Sequence, residues 1–205
     1  MSRKAPKKTG SPDRITVIIS GMSSVGKTTA AQSISKRFKI PHFGGGDMLK
    51  EMALERGYSP SGADWWDTKE GMRFLKERKL FANFDKEVDR RLIKKVKEGG
   101  VVVTSYPLPW ICKKGLKIWF EASKKTRASR LAGRDVISVS TALKIISTRD
   151  KENWDLYRKI YSIDFGRDLS VFNYTLDTER LSAKRVAELS VELVEKSFNS
   201  AKLVG

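Results

Sequence analysis

RITVIISGMSSVGKTT, residues 14–29, is the stretch of sequence that decides the fold. Its first half, 14–20, is rich in β-branched apolar residues, a composition typical of a strand buried inside a parallel sheet. The second half contains the pattern G-x-x-x-x-G-K-T at 21–28, and a helical pattern continues from there to about residue 38. A strand, a glycine-bounded loop and a helix in this order form the setting in which the pattern binds phosphate.

The loop predicts a nucleotide site, because its backbone N–H groups and the helix N-terminus behind it can surround phosphate oxygens. The predicted ATP-binding residues of the loop are Gly21, Ser23, Ser24, Val25, Gly26, Lys27, Thr28 and Thr29. Lys27 is expected to reach the β- and γ-phosphates, and the Thr28 hydroxyl is expected to bind Mg²⁺. The loop alone does not distinguish a kinase from an ATPase, but the N/T-K-x-D motif of a GTPase is absent from the sequence.

Composition narrows the class of protein further. The 205 residues include 41 Lys and Arg against 24 Asp and Glu, a formal net charge of +17 that favours anionic partners such as nucleotides or nucleic acid. No apolar run approaches the length that spans a bilayer, so we expect a cytoplasmic protein with no membrane partner. The single cysteine, Cys112, and the single histidine, His42, exclude an internal disulfide framework and a multi-Cys or His-rich metal site.

The chain divides into a tail and one domain. Residues 1–13, MSRKAPKKTGSPD, predict a disordered basic tail that either solubilises the protein or binds nucleic acid. Within 14–205, predicted strands at 14–20, 41–43, 101–103, 116–120 and 174–176 alternate with predicted helices at 28–38, 47–56, 65–78, 85–97, 124–134, 138–161 and 182–198. The alternation predicts an α/β fold, a three-layer P-loop NTPase fold whose parallel sheet carries helices on both faces.

Two further motifs connect the chain with a known family. GDMLK at 46–50 resembles the G-D-[IM]-[FL]-R segment of cytidylate and adenylate kinases, and RLAGR at 130–134 resembles their R-[IL]-x-G-R segment. LKIWF at 116–120, RD at 149–150 and YRKIYSID at 157–164 are similar as well. From residue 14 to about residue 195, the chain therefore resembles the nucleoside monophosphate kinases, and most closely the short, archaeal-type cytidylate kinases. The resemblance implies an inserted helical acceptor lobe at about 46–99 and a short lid at about 134–149.

The resemblance also implies an activity, the Mg²⁺- and ATP-dependent transfer of the γ-phosphate to a nucleoside monophosphate such as CMP, dCMP or AMP. It implies that Arg130 stacks on the base of ATP, while Arg134 and Arg149 hold phosphates. The predicted catalytic cations are Lys27, Arg127, Arg134 and Arg149, since phosphoryl transfer requires charge neutralisation and arginine pairs with phosphate through two hydrogen bonds. The predicted acceptor-binding residues are Asp47, Lys50, Asp85 and Tyr106.

The chain departs from the family at the acceptor site, which leaves other functions open. Lys50 and Tyr106 stand where the family has arginines; lysine keeps the charge without the planar fork, and tyrosine supplies no charge. Asp47 and Asp85 are also explained as helix N-caps, and the arginines as an exposed basic helix face. The alternatives are an adenine-nucleotide-binding ATPase in RNA or ribosome assembly and a P-loop kinase for a non-nucleotide small molecule. The sequence carries no signal for the oligomeric state.

Overall fold

The computed structural model describes residues 15–61, 69–71, 73–74 and 83–202. In this part of the chain five strands form one sheet: β1 (Thr16–Gly21), β2 (His42–Gly44), β3 (Val101–Thr104), β4 (Leu116–Glu121) and β5 (Tyr174–Asp177). The strand order is β2-β3-β1-β4-β5, and all four neighbouring pairs are parallel. The first strand of the chain therefore lies at the centre of the sheet.

Helices fill the connections between the strands. They are α1 (Lys27–Phe38), α2 (Gly45–Leu54), α3 (Phe84–Glu98), α4 (Leu108–Ile111), α5 (Lys124–Asp135), α6 (Val139–Tyr161) and α7 (Ala183–Lys202). Residues 69–71 and 73–74 are also helical, whereas the rest of the helix predicted at 65–78 lies outside the described residues, as does the predicted tail at 1–13. Within the described ranges, no helix combines the length and the apolar composition needed to cross a lipid bilayer.

The helices cover both faces of the sheet, because alternate side chains of each strand point to opposite sides. Ile18 of β1 packs in one apolar cluster with residues of α2, α3 and α4. Its neighbours Val17 and Ile19 pack in a second cluster with residues of α1 and α7. All six residues of β1 are buried, as expected for the central strand of a covered sheet. The predicted three-layer α/β architecture is confirmed.

The turn after β1 requires glycine at its first position. Gly21 has φ +146°, and a Cβ atom added there would lie 2.3 Å from the carbonyl oxygen of Phe120 on β4. No side chain fits at that distance, so the loop can leave the strand only at a glycine. Gly26, with φ +96°, then turns the chain into α1.

Parallel strands bring their carboxyl ends to one edge of the sheet, which we call the carboxyl edge. The loop at 21–26, the start of α2, and residues 105–107 follow β1, β2 and β3 there. Residues 122–123 and 178–182 follow β4 and β5. In open α/β sheets ligands bind outside the carboxyl ends of the strands, so this edge is where the site is expected.

Helices α5 and α6 form an antiparallel pair beside this edge. Ala128, Leu131, Ala142 and Ile146 are buried between them. Their connection passes through Val136, which is 91% exposed and adopts the left-handed conformation with φ 53°. The predicted lid at about 134–149 covers the end of α5, this connection and the first half of α6; its identification as a lid stays a prediction.

Candidate active site

Two cavities open at the carboxyl edge and share two lining residues, Lys27 and Thr28. The first, the α3 cavity, has a volume of about 520 Å³ and is lined by the start of α2, by α3 and by the residues that follow β3. The second, the α5 cavity, has a volume of about 740 Å³ and is lined by the loop at 24–29, by Arg130 and Arg134, and by residues 181–183 and 186. Two ligands bound in these cavities would meet at the first turn of α1.

Lys27 lies at this junction with its ammonium folded back on the loop. Its Nζ atom donates to the carbonyl oxygens of Gly21, at 2.8 Å, and Met22, at 2.5 Å. Burial lowers the pKa of Lys27 by desolvating the charge. Phosphate oxygens entering the loop would offset that desolvation, so the position suits a cation that pairs with a polyphosphate.

Tyr106 lies over Lys27, with its ring centroid 4.9 Å from the ammonium. Burial by itself would raise the pKa of the Tyr106 phenol, but the Lys27 ammonium, the nearby Ser23 hydroxyl, Arg149 and Asn153 together lower it. The Ser23 hydroxyl is buried and makes no hydrogen bond of ordinary geometry with any described residue. The phenol and this hydroxyl are therefore polar groups beside the loop that a phosphate could bind.

The acceptor residues predicted on α2 and α3 have different positions. Asp47 lines the α3 cavity, but its Oδ2 atom accepts a 2.7 Å hydrogen bond from the backbone N–H of Gly44, so the carboxylate also caps α2. Asp85 lines the same cavity from the first turn of α3. Lys50 is half-buried and is not among the residues that line either cavity.

The α3 cavity contains polar residues that sequence reasoning missed. They include Gln32, His42, Asp89, Thr104, Ser105 and Asn153. The His42 ring nitrogen Nε2 lies 3.0 Å from the Thr104 hydroxyl, and burial lowers the pKa of His42 while Asp47 partly opposes the shift. His42 and Thr104 belong to β2 and β3, so the rule that sites form at the carboxyl ends of strands could have singled them out.

Asp89 joins the cavity wall to α6. It is 4% exposed, and its Oδ2 atom accepts a 2.8 Å hydrogen bond from the Tyr161 hydroxyl at the end of α6. Burial raises the pKa of Tyr161, and the bond to Asp89 raises it further, so the phenol stays protonated and donates. Asp85 and Asp89 lie one helical turn apart, which places two carboxylates on the same wall of the cavity.

Of the four arginines predicted at the site, two line a cavity and two, Arg127 and Arg149, line neither. Arg130 and Arg134 line the α5 cavity, where Arg130 donates to the Thr178 hydroxyl at 3.0 Å and to the Thr178 and Leu181 carbonyl oxygens. Arg134 is exposed and pairs with Asp135 at 2.6 Å. Arg149 is exposed and lines neither cavity.

Arg127 belongs to the interior of the helix pair. It is 4% exposed, and its two Nη atoms donate to the two carboxylate oxygens of Asp150 at 3.0 and 2.7 Å. Its Nε atom donates to the carbonyl oxygen of Ala122. The guanidinium is thus directed at groups of the protein, although the spacing of Arg127, Arg130 and Arg134 predicted one common face.

Comparison with known proteins gives the family. A model of the cytidylate kinase-like family matches residues 15–180. The chain belongs to this family. The cytidylate kinase of Pyrococcus horikoshii is 33% identical over 175 residues, which cover 85% of this chain and 85% of the relative. The cytidylate kinase of Pyrobaculum calidifontis is 32% identical over 188 residues, which cover 91% of this chain and 96% of the relative.

Solved structures with much lower identity share the fold. A shikimate kinase from Bacteroides thetaiotaomicron superposes with a TM-score of 0.54 at 13% identity, covering 91% of this chain and 99% of that one. A gluconokinase from Sinorhizobium meliloti 1021 gives a TM-score of 0.54 at 12% identity, covering 94% and 98%. At these identities the likeness concerns the fold alone, and it confirms the predicted P-loop NTPase fold.

Proposed function

We propose that the protein is an ATP-dependent nucleoside monophosphate kinase that acts on CMP. The observation that carries this proposal is the pair of cavities that share Lys27 and Thr28, because a phosphoryl group moves directly between two substrates only when both reach one point. Relatives named cytidylate kinase support the choice of acceptor.

ATP is proposed to occupy the α5 cavity. Its triphosphate would extend along the loop at 21–29 toward Lys27, and its base would lie beside Arg130 and Leu181, which line that cavity. Arg134 is exposed at the rim, where its guanidinium can exchange Asp135 for a phosphate.

The residues at the junction fit a magnesium ion held together with the nucleotide. The Thr28 hydroxyl lies in the first turn of α1 and lines both cavities, and hydroxyl oxygen is a ligand that Mg²⁺ accepts. Among the described residues no group of three His, Cys, Asp or Glu side chains is placed to hold a metal ion by itself. Mg²⁺ would then be held by Thr28 and substrate phosphates, and it would neutralise phosphate charge.

CMP is proposed to occupy the α3 cavity. The carboxylates of Asp85 and Asp89 can accept hydrogen bonds from the exocyclic amine of cytosine, and Thr104 and His42 add shorter polar contacts to the wall. The phosphate end would point toward Lys27, where the Tyr106 phenol can donate to it. Lys50 would contribute at longer range, as one charge without a planar fork.

The proposed chemistry consists of positioning and charge neutralisation. A phosphate oxygen of CMP attacks the γ-phosphorus of ATP, the bond from that phosphorus to the β–γ bridging oxygen breaks, and the products are CDP and ADP. Lys27 would stabilise the charge that shifts between the two nucleotides. We also propose that residues of about 46–99 act as the acceptor lobe and residues of about 134–149 as the lid, so that closure excludes water.

A coupled assay of ADP formation tests the proposal, with ATP and a panel of CMP, dCMP, UMP, AMP and GMP. We expect the highest kcat/KM with CMP or dCMP, and Lys27→Ala should lower the rate roughly 100- to 1000-fold, as the loss of a preorganised electrostatic partner does. Lys124→Ala is the matched control, since Lys124 is exposed and lines neither cavity.

The same assay separates the alternatives. ADP formation that does not depend on any nucleoside monophosphate would indicate an ATPase and contradict the proposed acceptor. Phosphorylation of none of the five nucleotides, together with transfer to a small non-nucleotide alcohol, would indicate a metabolite kinase.

A further inference from the structure

The amino ends of the strands form the opposite edge of the sheet, the amino edge, and lysines precede neighbouring strands there. Lys39 precedes β2, Lys97 precedes β3, and Lys113 and Lys114 precede β4. We call these four residues the lysine edge. All four are exposed, and β2, β3, β1 and β4 are consecutive in the sheet, so the lysine edge extends across three strand spacings, or roughly 14 Å.

Hydrogen bonds across the amino edge hold the connections that carry these lysines. The Val102 N–H donates to the carbonyl oxygen of Pro41 at 2.9 Å, and the Val101 N–H donates to the carbonyl oxygen of Ile15 at 3.0 Å. The Lys114 Nζ atom donates to the carbonyl oxygen of Lys97 at 3.0 Å. The lysines therefore project from one ordered surface.

The charge of the lysine edge is not compensated within the described part of the chain. The connections at 39–41, 97–100 and 112–115 contain four lysines and one acid, Glu98. None of the four lysines is within ion-pair distance of a described carboxylate, in contrast to Arg37, Arg91 and Arg127, which are. Lys36, in the last turn of α1, and Lys94, three residues before Lys97 on α3, are also exposed.

The chain also enters the fold at this edge. Ile15 lies directly before β1, between the strands that Lys97 and Lys114 precede. The sequence before Ile15 carries Arg3, Lys4, Lys7, Lys8 and Arg14 against one acid, Asp13. The four exposed lysines therefore lie at the edge opposite to the two cavities, and the basic sequence at 3–14 precedes the strand that starts at the same edge.

The partner that fits such a surface carries regularly spaced negative charge and needs no apolar contact. Among the described residues the exposed large apolar side chains are Leu54, Val136, Val139 and Tyr174. Only Tyr174 of these stands at the amino end of a strand, where it begins β5 beside β4, and its hydroxyl accepts a hydrogen bond from Ser197, so among the described residues the lysine edge has one aromatic neighbour and no apolar patch. A membrane-binding surface needs apolar side chains that enter the lipid, and a surface for single-stranded nucleic acid needs aromatic side chains that stack on bases. A duplex needs neither, since its bases are already stacked and its phosphates face outward.

We propose that the lysine edge binds the phosphate backbone of double-helical nucleic acid, independently of base sequence and separately from the nucleotide cavities. Four lysines can neutralise about four phosphates. The association constant for duplex DNA should then fall roughly 100-fold when salt rises fourfold, because each neutralised phosphate releases counterions.

Fluorescence anisotropy of a labelled DNA duplex, measured with the full chain at several salt concentrations, tests this proposal. The variant Lys39→Gln/Lys97→Gln/Lys113→Gln/Lys114→Gln should bind at least about tenfold more weakly and show a much flatter salt dependence. The control Lys124→Gln/Lys125→Gln/Lys144→Gln/Lys159→Gln removes the same charge from exposed lysines elsewhere and should keep most of the affinity. Both variants should fold as the unmodified chain does, as measured by circular dichroism.

Three results would overturn the proposal. Equal losses in the two variants would mean that overall charge, and not the lysine edge, attracts the duplex. Tighter binding to a single strand of the same length would exclude a duplex as the preferred partner. Binding to vesicles that contain phosphatidylserine, with no binding to the duplex, would assign the surface to a membrane.

Discussion

The Tyr106 phenol lies beside Lys27, where the resemblance to cytidylate kinases implies an arginine, and its contacts define a specific expectation. Tyr106→Phe keeps the ring over the Lys27 ammonium but removes the hydroxyl. A hydrogen bond to a charged group contributes about 1.5–3 kcal/mol, so the KM for CMP should rise roughly 10- to 100-fold while the KM for ATP stays nearly constant. Initial-rate kinetics measure both constants. Tyr174→Phe, at an exposed residue outside the cavities, serves as control. If Tyr106→Phe changed only the KM for ATP, the phenol would not bind CMP.

His42 gives a pH-dependent signal that is simple to observe, because it is the single histidine of the chain. Burial keeps its pKa below the usual value of 6.5. The native state therefore resists protonation, and the free energy of unfolding should decrease as the pH falls from 6.5 through the lowered pKa of the folded protein. NMR titration of the imidazole signal measures that pKa, and His42→Gln should flatten the pH dependence of stability. A pKa at or above 6.5 would contradict the expected effect of burial.

The sequence indicates which residues lie near the site, but it does not indicate which contacts their side chains make. Arg127 and Arg130 are three positions apart on one helix, yet one is buried against Asp150 and the other lines a cavity. A spacing of three is compatible with a shared face, but Arg127 pairs with Asp150 on α6 whereas Arg130 bonds to Thr178 and Leu181 after β5, and the spacing does not reveal either partner. The sequence does not distinguish capping from binding at Asp47, and in the structure this residue both caps α2 and lines the α3 cavity.

At the level of elements, the Arg127–Asp150 pair joins α5 to α6. The two side chains are 5% and 17% exposed, so removing one partner leaves an uncompensated charge in the interior. Arg127→Met should lower the free energy of unfolding by about 3–5 kcal/mol, and Arg127→Met/Asp150→Leu by less, because a well-packed apolar pair can replace a buried ion pair.

Urea denaturation compares these variants with Arg134→Ala. The Arg134 side chain is 64% exposed, and exposed ion pairs contribute little, so its loss should change stability by less than about 1 kcal/mol. If Arg127→Met were as stable as Arg134→Ala, the buried pair would have no role in holding the two helices.

The connection between α5 and α6 contains a correctable strain. Val136 adopts φ 53°, a conformation that is unfavourable for a β-branched side chain, and it is 91% exposed, so packing does not compensate. Val136→Asn should raise the free energy of unfolding by roughly 1 kcal/mol, because asparagine tolerates the left-handed region. Val139→Asn, at an exposed residue in the first turn of α6, should give no such gain in the same denaturation experiment. Equal effects at both positions would show that polarity and not backbone conformation is responsible.

The elements themselves followed closely from the sequence. The helix predicted at 124–134 is observed as Lys124–Asp135, and the strand predicted at 116–120 as Leu116–Glu121, because strong periodicity and end signals coincide there. The short helix Leu108–Ile111 was not predicted. It follows Pro107 and contains Pro109, and its four residues are too few for a periodic pattern.

For the whole molecule, the presence of two separate cavities predicts that two ligands stabilise the protein additively. A ligand that binds the native state at a concentration of 100 times its Kd stabilises the protein by about 2.7 kcal/mol. A non-hydrolysable ATP analogue and CMP should each raise the Tm, and together should raise it by about the sum or more, as measured by differential scanning fluorimetry. Lys27→Ala should reduce mainly the shift caused by the ATP analogue. If the Tm with both ligands were no higher than the Tm with one of them, the two nucleotides would compete for one cavity.

The carboxyl edge and the amino edge lie at opposite ends of the sheet, which matters when the protein is attached to a solid support. β1 leads from Ile15 directly to the phosphate loop, and its six residues span roughly 20 Å. A bead or sensor chip linked just before β1 would therefore hold the protein by its far end, with both cavities turned toward the flowing solution. Attachment through the short connection between α5 and α6 would instead place the support against those cavities. For an immobilised catalyst, the direction of the central strand decides which end of the fold should face the support.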